Sequence, residues 1–295
     1  MTDVPVFERF LGIDWSGSKA RRLPGLRVAE CRPGSGAPRL LDGPQSGGLW
    51  RRLDVLALLD REITAGRRVL AGFDFAFAYA HADRDAYFPE TGPDLCDVRS
   101  LWALVERLAG ESDDLYAGAV YASGSPVAEH YLSPLGRGTR YTHRQRRAEL
   151  ACAAVTTPHP VFKCIGAANV GTGSLAGMRL LHRIADRAAA GAAAGAAVWP
   201  FAPPGPVTLV EIFPRRYFMA AGQNPRAWRD RAVIDATLAA YGSTPYGGAV
   251  LDTEDKADAV VAAAALRRLA ADPAVWSAPA REPASRHEGW IFGVT

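Results

Sequence analysis

Residues 69–77 read VLAGFDFAF. The run Val69–Phe75 has the composition of a buried strand bounded by glycine, yet Asp74 stands in it between Phe73 and Phe75. A carboxylate in such a place costs several kcal/mol unless something pairs with it, and a purely structural aspartate there is uncommon. Three other segments repeat the anomaly: Asp14 in LGIDWSG (11–17), Glu211 in VTLVEIFP (207–214), and Asp255 with Asp258 in DTEDKADAVVAAAAL (252–266). Acidic positions spread over the whole chain, each set in an apolar run, point to one shared cation.

Outward from this stretch the pattern is regular on both sides. Residues 9–15 form a short apolar strand that ends at Asp14 and the turn WSGS. Residues 25–31 and 39–41 continue a meander, separated by PGSGAP. Trp50, Leu53, Leu56, Ala57 and Leu59 recur at helical spacing up to Gly66, and the strand holding Asp74 follows. From residue 81 to 205 the pattern loosens, with helices predicted at 98–108 and 174–194 and a stretch rich in Gly, Ser, Pro and Arg at 111–160. The alanine-rich run at 187–198 reads as a helix end. A strand at 207–213, stopped by Pro214, a helix at 225–241 and a strong closing helix at 253–271 complete the order.

Three strands, a helix, a strand, a large insertion, a strand and a closing helix is the order of the ribonuclease H-like fold. The expectation is a single α/β domain with a mixed five-stranded sheet flanked by helices, its core at 8–80 and 206–295 and its helical and loop insertion at 81–205. In that fold the first and fourth strands are central neighbours. Asp14 and Asp74 would then face each other, with Glu211 one strand further out and Asp255 or Asp258 arriving from the closing helix. Each residue also has a bland reading. Asp14 fits a turn or cap, Asp255 and Asp258 share a helical face and fit the dipole preference of a first turn, and Glu211 is placed to pair with Arg215 or Arg216.

Composition bounds the rest. At 295 residues, 48% hydrophobic and 22% charged, the chain can bury a large core. No apolar run approaches membrane-spanning length, and Asp3 and Glu8 stand where a secretory signal would be basic and then apolar, so the expected location is cytoplasmic with no membrane partner. Cys31, Cys96, Cys152 and Cys164 show no C-x-x-C spacing and read as reduced packing residues. A net charge of +3 says little about nucleic acid. One cluster is more suggestive: RGTRYTHRQRR (137–147) carries five arginines, Arg140 and Arg144 among them, around Tyr141 and His143. It suits phosphates and bases, or else is a solvated face in an arginine-biased chain. Only three lysines occur. Two of them, Lys19 and Lys256, lie close in sequence to the acidic positions, where a compact charge could meet a phosphate.

The segments LGIDWSGS, AGFDFAFA, VEIFPRRYF, TEDKADAVVAAAAL and EGWIFGV, together with VFKCIGAANVGTGSLAGMRLLHRI and VWPF, resemble the domain-of-unknown-function family 429, described as predicted nucleases with a ribonuclease H-like fold. More distantly, DKADAVVA (255–262) is similar to the closing-helix signature of RuvC-type Holliday-junction resolvases. These resemblances imply catalytic roles for Asp14, Asp74, Asp255 and Asp258; where RuvC-like enzymes usually carry glutamate on the fourth strand, this chain has the shorter Asp74. Hard oxygen donors without His or Cys select Mg²⁺ or Mn²⁺. The implied function is metal-dependent phosphodiester hydrolysis on nucleic acid, with Asp14, Asp74 and one of Asp255 and Asp258 as ligands, Glu211 at the edge, and Lys19, Arg140, Arg144 and Lys256 toward the substrate.

Two further classes compete. GIDWSGS resembles the first phosphate loop of actin-like and sugar-kinase phosphotransferases, but only one copy of the core is visible. The nearest second glycine-rich loop, GAANVGTGS (166–174), has Thr172 where a phosphate loop needs lysine. It reads as a turn and N-cap, or as a lid over the acidic site. A catalytically silent binding module would keep the fold without the metal chemistry.

Overall fold

The first strand forms because residues 9–14 alternate apolar side chains toward two separate cores. Leu11 and Ile13 join one cluster, while Phe10 joins the other. The computed structural model describes residues 4–90, 95–166, 169–189 and 195–295. The distal end of the helix predicted to reach Ala194, and part of the alanine-rich run with it, lie outside these residues.

Strands β1 (Arg9–Asp14), β2 (Arg27–Cys31) and β3 (Arg39–Leu41) make the expected meander; helix α1 (Arg52–Thr64) leads to β4 (Val69–Phe73). The segment that follows holds helix α2 (Val98–Ala109), a two-stranded hairpin of β5 (Leu132–Ser133) and β6 (Gly136–Arg137), and helices α3 (Arg147–Cys152) and α4 (Val170–Ala189). Next come β7 (Ala197–Val198), β8 (Val207–Glu211), α5 (Pro214–Ala220), α6 (Arg231–Ala240), α7 (Glu254–Leu269), α8 (Pro273–Ser277) and α9 (Ser285–Glu288).

The main sheet is mixed and has the order β3-β2-β1-β4-β8-β7. Strands β1, β4, β8 and β7 are parallel, and β2 is antiparallel to both its neighbours. The sheet has six strands rather than the expected five. The extra one, β7, is a two-residue edge strand, too short to leave an alternating pattern in the sequence. The helix expected at 225–241 divides, because Asn224 caps a short 3₁₀ turn and Asp230 then caps α6. Helix α4 starts at Val170, four residues earlier than its periodicity suggested, because Asn169 accepts a hydrogen bond from the Thr172 amide. No described helix is long and apolar enough to cross a membrane.

Helices lie on both faces of the sheet. Val69, Ala71, Phe73, Val207 and Leu209 pack with α1, α2 and α4; Leu70, Val210 and Ile212 pack with α5, α6 and α7. The alanine-rich face of α7 comes so close to β1 that a Cβ on Gly12 would stand 2.3 Å from the Ala259 carbonyl oxygen and 2.6 Å from the Ala263 amide nitrogen. Backbone on both sides leaves nothing to rotate away. Gly12→Ala is therefore expected to cost about 3 kcal/mol or more by prising α7 from β1, measured as a lowered urea midpoint. An unchanged midpoint would show that the two elements separate freely.

Candidate active site

Asp14 is the last residue of β1, and Asp74 directly follows β4. The register pairs Gly12 with Gly72 and Ile13 with Phe73, and the Asp74 amide continues the ladder to the Ile13 carbonyl at 3.0 Å. Asp14 and Asp74 thus leave adjacent parallel strands at the same level, on the face covered by α7. Thr253 caps α7 by accepting from the Lys256 amide, which sets Asp255 in the first turn and Asp258 one turn further along. The structure brings all four aspartates together.

Their electrostatics record the crowding. Burial first, then the negative charges of Asp74, Asp258 and Asp255, hold the Asp14 carboxyl well above the usual carboxylate range, and it shares a hydrogen bond with Asp255. Burial and the Glu211 charge push Asp74 up to about 7. Asp258 is also raised, by burial and then by Asp74, Glu254 and Asp255, with only Arg215 opposing. None of the four carboxylates has an ion-pair partner among the described residues. As they stand, no group of three or more His, Cys, Asp or Glu side chains among the described residues could hold a metal ion.

Glu211 does not join the cluster. It sits level with Phe73 across the β4–β8 pairing, so it projects to the opposite face from Asp74. There it receives Arg146 Nη1 at 2.8 Å, Arg146 Nη2 at 2.5 Å and the Phe77 amide at 3.0 Å. Its partner is Arg146, not Arg215 or Arg216, and its carboxylate is fully engaged. Arg146 in turn donates to Glu149 and to the Glu288 carbonyl.

The arginine run is neither an open phosphate grip nor a solvated face, because its centre is inside the protein. Arg144 is buried and spends its donors on Asp83 and the carbonyls of Ala80, Ala86 and Tyr87. Arg140 pairs with Glu129 at 3.2 Å. Neither is placed to bind substrate. Lys256 pairs with Asp252 at 2.7 Å, whereas Lys19 is exposed beside the site.

Two adjoining cavities open on the cluster. One, of about 210 Å³, is lined by Asp74, Arg146, His159 and Glu211; the other, of about 420 Å³, holds Lys19 and Asp255. They share Trp15, Gly17 and Asn169. Gly17 is required here, since a Cβ on it would lie 2.3 Å from the Gly173 amide nitrogen at the start of α4. The glycine-rich segment is accordingly a packed helix start rather than a phosphate loop. Its Gly171 amide is bonded to the Lys163 carbonyl and its Thr172 amide to Asn169, while Ser174 accepts from the Ala76 amide. Val170 and Gly173 do flank the cavity holding Asp74, although Ala167 and Ala168 lie outside the described residues.

Sequence reasoning missed two residues near the cluster: His159, and Arg215 in any role beyond a partner for Glu211. His159 lines the cavity with Asp74, and burial followed by the charges of Lys163, Arg215 and His143 lowers its pKa. Both come from segments whose approach to the acidic cluster leaves no local pattern, Arg215 acting on Asp258 through its charge alone. Compared with protein-family models, curated proteins and solved structures, the chain matches none.

Proposed function

We propose that this chain is a divalent-metal-dependent phosphodiester hydrolase acting on nucleic acid, built on a ribonuclease H-like core. The observation that carries the reading is the convergence of Asp14, Asp74, Asp255 and Asp258, uncompensated by any ion pair among the described residues, where two parallel strands end beneath two cavities. Retaining several buried like charges without partners is costly to folding and is explained by a cationic ligand.

The donor set fits Mg²⁺ or Mn²⁺, since it is all oxygen. Such ions keep several waters and bind through one or two carboxylates together with substrate phosphate oxygens, so a ready-made protein cage is not required. Asp14, Asp74 and one of Asp255 and Asp258 would hold the ion, which when bound supplies Lewis-acid stabilisation of charge at the phosphorus. The chain's own residues do the rest. Burial lets the carboxylates hold protons that must leave before a cation is bound, which makes affinity rise with pH through about 7, the value to which Asp74 is pushed. His159 lines the cavity of Asp74 and Lys19 that of Asp255, and they offer proton transfer and positive charge to a phosphodiester, while the Arg215 charge reaches both Asp258 and His159. Glu211 is a scaffold in this reading, and so are Arg140, Arg144 and Arg146.

Calorimetric titration of Mn²⁺ into the wild type and Asp74→Asn at pH 7.5, alone and with a phosphorothioate oligonucleotide, tests the reading. Saturable binding with proton release is expected for the wild type and is lost in the variant. Failure of the wild type to bind Mn²⁺ in both settings would end it.

A further inference from the structure

We infer that the cavity of about 420 Å³ is a subsite for a single unpaired nucleobase, which selects single-stranded or extruded nucleotides for the site proposed above. The inference rests on that functional reading for the position of the phosphate, but on Trp15, Tyr116, Tyr121 and Thr172 for the base.

The cavity is lined by Trp15, Tyr116 and Tyr121, by Thr172 and Lys19, and by Asp255 of the acidic cluster. Three aromatic residues beside hydroxyl and ammonium side chains suit a heterocycle that offers a π-face and a polar rim. The volume lies within the roughly 300–1,000 Å³ of small-ligand pockets. It is far too small for a duplex, whose bases can enter such a pocket only after leaving the stack. Because Asp255 borders the cavity and the turn at Trp15 and Gly17 separates it from the cavity of Asp74, a base seated here delivers its adjoining phosphate to the carboxylates.

The walls are fixed in advance. Arg52, 1% exposed, donates from Nε to the Ser16 carbonyl at 2.7 Å and from Nη2 to the Ser18 carbonyl at 2.6 Å. Its Nη1 reaches the Asp114 carbonyl at 2.8 Å, two residues before Tyr116. One guanidinium thus clamps the two sides of the cavity to each other. Arg179, also wholly buried, holds the Tyr116 carbonyl at 2.7 Å, and the Tyr116 and Tyr121 hydroxyls meet at 3.2 Å. Burying two arginines to position loop carbonyls costs stability that apolar packing would not. What it secures is a pocket whose shape need not be ordered by the ligand.

The test is calorimetric binding, with Mn²⁺ present, of a phosphorothioate thymidine tetramer and of the same tetramer with every base replaced by a tetrahydrofuran abasic unit. The wild type is expected to bind the base-containing tetramer about tenfold or more tightly than the abasic one, with Tyr116→Leu reducing that preference. The wild-type comparison needs no variant at all, so it does not depend on how Tyr116→Leu folds. Equal affinity for the two tetramers would overturn the subsite while leaving Mn²⁺ binding intact. If neither tetramer binds and Mn²⁺ binding is also absent, the hydrolase reading falls together with the subsite.

Discussion

On the proposed hydrolase reading, Asp14→Asn is expected to reduce phosphodiester hydrolysis by roughly 10³-fold, and it is expected to raise the melting temperature in chelator. The two effects share one cause. Asp14 is buried beside Asp74, Asp258 and Asp255, and its folded-state carboxyl is held well above its unfolded range. Between the unfolded and the folded pKa the native state retains a proton that the unfolded chain has lost, so stability falls as pH rises through that window. For Asp74 the window runs from the ordinary carboxylate value of 3.8 to about 7. A neutral amide at position 14 removes both its own desolvation cost and its repulsion of the other three. A gain of about 2–4 °C is expected at pH 7.5 in chelator, shrinking toward zero below about pH 4 where both states are protonated. Scanning fluorimetry across pH, alongside an oligonucleotide cleavage assay, reads both effects. A variant that is less stable at pH 7.5, or that keeps its activity, would remove Asp14 from the centre of the site.

Arg146→Met should be the most damaging single change to stability, at about 3–5 kcal/mol. Arg146 is fully buried and holds two carboxylates, Glu149 through Nε and Glu211 through both Nη atoms, together with the Glu288 carbonyl. Burial alone would lower its pKa, but Glu211 and Glu149 hold it above the ordinary arginine value. Removing it leaves both acids buried without a counter-charge and cuts the tie between β8, the segment before α3, and α9. The Glu288 side chain, which receives the His81, Ala82 and Arg147 amides, would then carry that junction alone. Urea denaturation measures the loss. The triple variant Arg146→Met, Glu149→Gln, Glu211→Gln should recover most of it, because no charge is then stranded. A single variant as stable as the wild type would show that water reaches these acids.

Glu211 shows where a linear reading stops. It resembles Asp74 in every local respect, as an acid near the end of an apolar strand. Strand alternation makes side-chain direction depend on parity, and parity depends on register. Glu211 lies level with Phe73 instead of Asp74, so it points to the other face. The register is decided by pairing between segments more than a hundred residues apart. The arginine run is a similar case. Its composition was plain, but only the arrival of Asp83 and Glu211 from elsewhere, beside the local partner Glu149, turned Arg144 and Arg146 inward.

Local chemistry alone determined the meander, the central strands, the closing helix and the four aspartates, because apolar periodicity and a carboxylate that breaks it are written in consecutive residues. Tertiary structure decided which acids meet, which arginines neutralise others, and where the aromatic cavity forms. Those outcomes depend on side-chain direction and on distances between remote segments, and neither is carried by the order of residues in any one of them.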